Sequence, residues 1–359
     1  MFITRLGIRN VRNLVALDLD PVEGLNLVTG VNGAGKTSLL EAIHLLANGH
    51  SFRTRHVGEV RRHDSEVLQV TALVRAQGGD PSVPVGVERS VDTARRRLGG
   101  RDVGSQAELA RQLPVQAFHP ESHRLISGGP RERRQFIDWG VFHVEHGFLE
   151  AWRRYQRAVR QRNAALRRGD WSVAHAFDEE LVAMGEQVTE CRHRYVDLLA
   201  HELPKIQSRL FPEHPVRLRL RRGWSEDRDL TAALEGDRER DLRDGYTHLG
   251  PHRADLDLRI QGRPVSEVAS RGQQKAVVAG LVLLQSQIYG ARVGRTGIVL
   301  VDDLPSELDL THRAAVLDLL REMRVQVFVT AIEAEQIDLS RWDRPAVFHV
   351  EQGQLRELI

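Results

Sequence analysis

Residues Gly30-Val31-Asn32-Gly33-Ala34-Gly35-Lys36-Thr37 satisfy the pattern G-x-x-x-x-G-K-[ST], and each position has a chemical reason. Glycines let the backbone turn its N–H groups inward around phosphate oxygens, and a helix that opens at the lysine adds a positive dipole end. Gly30, Asn32, Gly33, Ala34 and Gly35 would form that cradle. Lys36 would reach the terminal phosphates, and Thr37 would set its hydroxyl on a Mg2+ ion. The flanks agree with this: Leu25 to Thr29 reads as a strand, and Leu39, Leu40, Ile43 and Leu46 recur at helical spacing. Taken alone, the loop fits a kinase, a GTPase or an ABC-type ATPase.

Two later segments narrow the choice. Ile298-Val299-Leu300-Val301 is an apolar run ending in Asp302 and Asp303. A buried strand reads this way, and of two acids at its carboxyl end the first can hold the Mg2+ shell while the second orients an attacking water. Some 30 residues upstream, Ser270-Arg271-Gly272-Gln273-Gln274-Lys275 opens a predicted helix. A serine and a glycine at a helix start make a second anion site. Ser270, Gly272 and Gln273 resemble the S-x-G-Q core of the ABC signature, and Ser306-Glu307-Leu308-Asp309 resembles the D-loop of that class. The resemblance implies that the signature loop completes the phosphate site of another subunit, so that ATP joins two heads.

The elements that must position these residues come from both ends of the chain. The first 30 residues alternate apolar and polar positions as successive strands do, with further strands at Val67 to Val74, Val83 to Val87 and Val115 to Phe118. From Pro130 to about Leu203 the pattern becomes long amphipathic helices, with no proline until Pro204. A strand at Val216 to Leu220 and a charged helix near Leu230 to Leu242 follow. The chain then returns to α/β alternation: Leu256 to Ile260, a helix Gly272 to Ile288, the acidic strand, a helix Leu310 to Met323 and a strand Val325 to Val329. The expected fold is α/β, an ABC-type ATPase head over 1–118 and 249–359 with a helical arm domain inserted at 119–248.

Other motifs are more specific. Arg9-Asn10-Val11-Arg12-Asn13, Ser51-Phe52-Arg53, Gly128-Gly129-Pro130 with Arg133-Arg134-Gln135-Phe136, and Gly250-Pro251-His252-Arg253 are not general ABC features. Together with the loop, the signature and the acidic pair, they resemble the RecF family over essentially the whole chain. The resemblance implies an ATP- and Mg2+-dependent DNA-binding protein that forms a homodimer on ATP. It would act at single-strand gaps and duplex junctions and work with RecR and RecO to load the recombinase RecA. It adds Arg12 to the nucleotide contacts and places Gln116 in the Q-loop, as a catalytic residue beside Lys36 and Asp303. Two departures from the wider ABC pattern imply a weak, slow ATPase. Asp303 stands where many relatives carry the longer glutamate, and Thr330-Ala331-Ile332-Glu333 holds no histidine at the switch position. The inserted segment is too short for the long coiled coils of chromosome-structural relatives.

Composition sets outer bounds. A net charge of +2 and a pI near 8.9 permit nucleic-acid binding without arguing for it. Lysine occurs only at Lys36, Lys205 and Lys275, so the basic character is carried by arginine. Arg153, Arg157 and Arg160 fall at i, i+4, i+7 spacing and could neutralise DNA phosphates; a solvated helix face in an arginine-rich protein reads the same. The single cysteine, Cys191, excludes an intramolecular disulfide framework. Sixteen histidines, among them His56, His63, His248 and His252, form no recognised metal motif. The N-terminus lacks a secretory pattern and the apolar run Ala276 to Leu284 is too short to span a bilayer, so a cytoplasmic protein without a membrane partner is expected. The transporter-ATPase alternative conflicts with the RecF-like first strand and arm. The kinase or GTPase alternative leaves the signature loop unexplained and lacks an Asn-Lys-x-Asp motif.

Overall fold

The structure is a computed structural model describing residues 1–54, 56–76 and 81–358. It divides into two units, Met1–His123 with Ser270–Ile359 and Arg124–Ala269. Both divisions fall later in the chain than the sequence suggested, at 118 and 248. Residues Pro120–His123 form a short 3-10 turn packed on the Arg271–Val293 helix, which keeps them in the head. Asp255–Ile260 pairs antiparallel with Val216–Arg221 rather than joining the α/β alternation, so it belongs to the insert. The insert is therefore not wholly helical: it carries a three-stranded sheet completed by Arg263–Pro264.

Among the described residues the head holds two six-stranded sheets. One is largely parallel, in the spatial order Gln354–Glu357, Ala346–Glu351, Leu25–Thr29, Gln326–Thr330, Ile298–Val301, Val115–Phe118. Every residue of Leu25–Thr29, Gln326–Thr330 and Ile298–Val301 is buried, as near-continuous apolar strands covered on both faces should be. The other sheet is antiparallel, in the order Leu14–Leu19, Phe2–Val11, Leu68–Arg75, Val83–Arg89, Ala94–Leu98, Arg101–Asp102. Leu68–Arg75 alternates buried and exposed along its length, which marks a sheet with one wet face. The Lys36–Asn48 helix is buried nearly all round, and its Leu39, Leu40 and Ile43 share one core with Ile3, Leu6 and Ile8 of the antiparallel sheet and Leu300, Phe328 and Phe348 of the parallel one.

A buried amide joins the two sheets. Gln326 Oε1 accepts the Ile3 N–H at 2.7 Å, and its Nε2 donates to the carbonyls of Ile3 and Val22, both at 2.8 Å. This side chain gives the first strand the pairing that a neighbouring backbone would supply. The Arg271–Val293 helix is long and apolar enough, by length and composition alone, to cross a membrane; in the fold most of it is core of the head. The nine-residue run Ala276 to Leu284 understates its apolar stretch.

In the insert, the helices Pro130–Val144, Phe148–Leu166 and Asp178–Leu210 carry the packing. The last continues through Pro204 rather than ending before it. Proline removes one N–H and crowds the preceding turn, and here Leu203, Ile206 and Leu210, all buried on either side of it, hold the helix together. The charged segment after Asp229 breaks into two short helices, Leu230–Gly236 and Arg238–Asp244, because Asp237 leaves helical geometry.

Candidate functional site

The loop between Leu25–Thr29 and the Lys36–Asn48 helix runs at the carboxyl end of the parallel sheet, where ligands of such sheets bind. Gly30 has φ 140° and its backbone lies so close to Val350 that a Cβ would sit 2.2 Å from that carbonyl oxygen, so no other residue fits. Asn13 braces the loop tip: its Nδ2 donates to Gly33 O at 3.0 Å and its Oδ1 accepts from Ser38 Oγ at 2.9 Å. Lys36 is buried and folds back, its Nζ donating to the carbonyls of Gly30 at 2.7 Å and Val31 at 3.1 Å. Burial lowers its pKa, opposed by the charges of Asp303 and Asp302.

The acidic pair meets the loop across the sheet. Asp302 is 4% exposed and accepts from Thr37 Oγ1 at 2.9 and 3.1 Å, and from Thr330 Oγ1 at 2.9 Å. Burial raises its pKa, while the Thr330 and Thr37 hydroxyls pull it down. A buried carboxylate whose partners are hydroxyls is a good cation ligand, and the oxygens of Thr37 and Asp302 are a donor set suited to Mg2+. Asp303 takes a left-handed conformation, φ 53°, and its N–H donates to Thr330 Oγ1 at 2.7 Å. Thr330, the strand-end residue at the histidine-free switch position, thus links both acids.

A cavity of about 570 Å³ opens here, lined by Asn32, Gly33, Gly35, Lys36, Thr37, Asp302 and Asp303. Its opposite wall is Phe52, Arg53, His119, Pro120 and Glu121. The sequence reading gave none of these a role, although Ser51-Phe52-Arg53 belongs to the motif set. Gln116 is not among the lining residues. It lies inside the paired strand Val115–Phe118, opposite Val299, and its Nε2 donates to Gln285 Oε1 at 2.6 Å. The strand ends at Phe118, so His119 to Glu121 are what reach the cavity.

Arg12 borders the same cavity, but its guanidinium is committed elsewhere. It forms a bidentate pair with Glu41 at 2.9 and 2.8 Å and also donates to Glu59 O at 2.5 Å. Glu41 is fully buried on the loop helix and accepts from Ser51 as well. Arg12 thus neutralises a buried carboxylate of the loop helix from a position on the cavity's border. Ser270, Gly272 and Gln273 line no part of the cavity. Ser270 caps its helix reciprocally with Gln273: Gln273 N–H donates to Ser270 Oγ at 3.3 Å and Ser270 N–H to Gln273 Oε1 at 2.8 Å.

Behind the aromatic wall, Phe52 packs on His119 with ring centroids 4.6 Å apart and on His44 at 5.4 Å. Burial pushes His44 down to about 3 and His119 down to about 4. Both pKa values fall below the unfolded value of roughly 6.5, so the folded state binds fewer protons. The stability they contribute is complete above pH 6.5 and is lost as pH falls toward 4. Each histidine adds a slope of about 1.4 kcal/mol per pH unit. Urea unfolding between pH 7.5 and 4.5 is expected to show this loss, and His44→Gln should flatten the slope by about one proton; a slope unchanged by that substitution contradicts the assignment.

The RecF/RecN/SMC N terminal domain family model matches residues 2–355. The DNA replication and repair protein RecF of Thioalkalivibrio sulfidiphilus (strain HL-EbGR7) is 46% identical over 357 residues, covering 99% of each chain. The chain belongs to the RecF family. A RecF of Chromohalobacter salexigens is 43% identical over 362 residues, again covering 99% of each. Among solved structures, the recombination mediator protein RecF-ATP in the RecFOR pathway superposes with a TM-score of 0.89 at 25% identity, covering 100% of this chain and 98% of that one. The Smc head domain of Pyrococcus furiosus, bound to the C-terminal domain of ScpA, matches in fold at TM-score 0.62 and 14% identity, over 99% of this chain and 96% of that one.

The RecF-like motifs outside the head meet within the insert. Arg133 pairs with Asp255 at 2.6 and 3.0 Å and donates to Gly128 O, while Arg134 donates to Ala254 O at 2.7 Å. His252 accepts from the buried Tyr155 hydroxyl at Nδ1, 2.5 Å away, and turns Nε2 toward Thr247 O at 3.1 Å. It is a structural pin of the Gly250–Arg253 turn. Arg153, Arg157 and Arg160 are all exposed on the Phe148–Leu166 helix. Arg162, two residues after Arg160 on the same helix, is turned inward and fully buried.

Proposed function

We propose that this chain is an ATP-gated DNA-binding protein of recombinational repair whose head closes on a second copy around Mg-ATP. The observation that carries this reading is the division of the phosphate chemistry within one head. Loop, Thr37 and acidic pair share a cavity, and the signature residues Ser270, Gly272 and Gln273 line none of it. A site with half its anion donors pointing elsewhere is suited to completion by another subunit. Thr37 and Asp302 would hold Mg2+, which neutralises charge across the terminal phosphates when bound. Lys36 moves from the loop carbonyls to those phosphates, and Asp303 orients water. The aspartate's short reach and the absence of a switch histidine make ATP a timer rather than a fuel.

The exposed stripe Arg153, Arg157 and Arg160 is the DNA contact in this reading, binding phosphates without sequence preference. The solved RecF-ATP structure is that of a recombination mediator of the RecFOR pathway, which supports extending to this chain the family role: gapped or junction DNA, RecR and RecO as partners, RecA loading as the outcome. A transporter ATPase or a P-loop kinase would not account for relatives named for DNA replication and repair along their whole length.

The test is anisotropy of a labelled gapped duplex with Mg-ATP, Mg-ADP or no nucleotide at two salt concentrations. Tight, salt-sensitive binding with ATP alone is expected; equal binding in all three states refutes gating. Ser270→Ala is expected to cut the ATP-induced dimer at least tenfold in sedimentation while leaving nucleotide binding to the monomer within about twofold, since one neutral donor contributes about 1 kcal/mol per site and a symmetric dimer has two. A wild-type dimerisation constant in that variant counts against a shared site.

A further inference from the structure

We infer that Lys275 is a positioning residue that ties the signature helix of a head to that same head's Asp303, so that grip on a partner's nucleotide is transmitted to its own hydrolytic water site. The inference rests on the two-head ATP reading above. Its starting point is a chain in which lysine occurs at three positions, one of them five residues after the signature serine. Lys275 Nζ lies 3.2 Å from Glu307 Oε2 and 3.5 Å from Ser306 O. The Glu307 side chain is 9% exposed and that of Lys275 28%, so the pair is partly sheltered, with its acid inside.

From there the connection is continuous. The N–H groups of Ser306 and Glu307 both donate to Asp303 O, at 3.0 and 3.1 Å. Asp303 N–H donates to Thr330 Oγ1, which donates to Asp302 Oδ1, which accepts from Thr37 Oγ1. Asp303 itself sits in the left-handed region, which costs a non-glycine residue about 1 kcal/mol. Arg313 braces the same loop at Pro305 O and Leu308 O, but its other bond goes to Gln336 O, away from the signature helix. Lys275 crosses to that helix. A shift of the helix by an ångström, as it grips a phosphate, either breaks the 3.2 Å pair or carries Glu307 and the Asp303 turn with it.

The test separates the head that owns Asp303 from the head that lends the signature. A mixed dimer in which one chain carries Asp303→Asn keeps both nucleotide sites and both signatures but hydrolyses at one: the chain with the unaltered Asp303 is the loop-owning chain of that site, and the Asp303→Asn chain lends its signature. Lys275→Met placed in the loop-owning chain is expected to lower kcat about fivefold with KM within twofold, and placed in the signature-lending chain to leave kcat within twofold. Lys275→Arg, which keeps the charge, should restore at least half of the loss. Glu307→Gln in the loop-owning chain should reproduce it, and provides the same reading if Lys275→Met does not fold. The reverse placement effect, or equal effects in both chains, overturns the inference. Binding of a fluorescent ATP analogue to each single chain is measured alongside: failure of the otherwise unaltered protein to bind it overturns the ATP reading itself rather than the coupling.

Discussion

Lys36→Ala is expected to weaken Mg-ATP binding about 100-fold, the equivalent of roughly 2.7 kcal/mol. The ammonium is buried at the mouth of the helix and already held by two loop carbonyls, so reaching phosphate exchanges two neutral acceptors for charged ones. Hydrogen bonds to charged groups contribute about 1.5–3 kcal/mol each. Part of that gain is offset by breaking the carbonyl contacts and by the proximity of Asp302 and Asp303, which favour the ammonium where it is. Calorimetric titration with Mg-ATP reads the change directly. Retention of affinity within threefold, with an unaltered melting profile, would mean that the loop backbone alone does the binding. The ATP-induced dimer should vanish in the same variant at concentrations where the unaltered protein pairs.

In the insert the largest effect belongs to Asp241→Ala, expected to destabilise that unit by about 3–5 kcal/mol because it strands a buried charge. Arg162 and Asp241 are both fully buried, with Nη1 to Oδ2 at 2.6 Å. Asp178 takes the Nε of Arg162 at 2.7 Å, Thr247 Oγ1 accepts at 2.9 Å, and His248 leans on Asp241 at 2.8 Å. Removing one carboxylate leaves the guanidinium with a single acid and His248 with Asp244 alone, 3.1 Å from its Nε2. At about 2–4 °C per kcal/mol for a unit of this size, the melting temperature should fall by roughly 10 °C. Arg162→Met with Asp241→Leu should recover most of it, since packed apolar groups replace a buried pair at little cost. A melting temperature within 2 °C of the original in Asp241→Ala would show that the pair is wetter than its burial indicates.

The phosphate chemistry was legible in the sequence because it depends on local spacing. Gly30 to Thr37 and Asp302 with Asp303 are each contiguous runs flanked by a strand, and strand ends of a parallel sheet converge. The strand Val115–Phe118 was legible from its apolar pattern, whereas the Q-loop role that the resemblance gave Gln116 depends on where that strand ends: Gln116 is paired within it opposite Val299, and the residues that reach the cavity begin at His119. The pairing of Arg12 with Glu41 could not be read, because Glu41 is hidden within a helix whose burial nearly all round is a tertiary fact. Arg162 and Arg157 look alike in sequence; one is buried in an ion network and the other exposed, since the helix phase relative to its neighbours decides the matter. The Asp255–Ile260 strand went to the wrong unit because α/β alternation and an antiparallel hairpin share the same short apolar pattern.

The order of strands in the parallel sheet has a consequence for synthesis on the ribosome. Leu25–Thr29, which carries the phosphate loop, lies between Gln326–Thr330 and Ala346–Glu351, and both neighbours are translated after the entire insert. At about 5–20 residues per second, the gap between Thr29 and Gln326 leaves this apolar strand without either partner for roughly 15–60 seconds. Its exposed edges are open to mispairing during that interval, whereas the antiparallel strands from Phe2 to Asp102 can zip locally as they emerge. Nascent chains should therefore become competent for nucleotide only in the last moments of translation, and holdase chaperones should be needed before then.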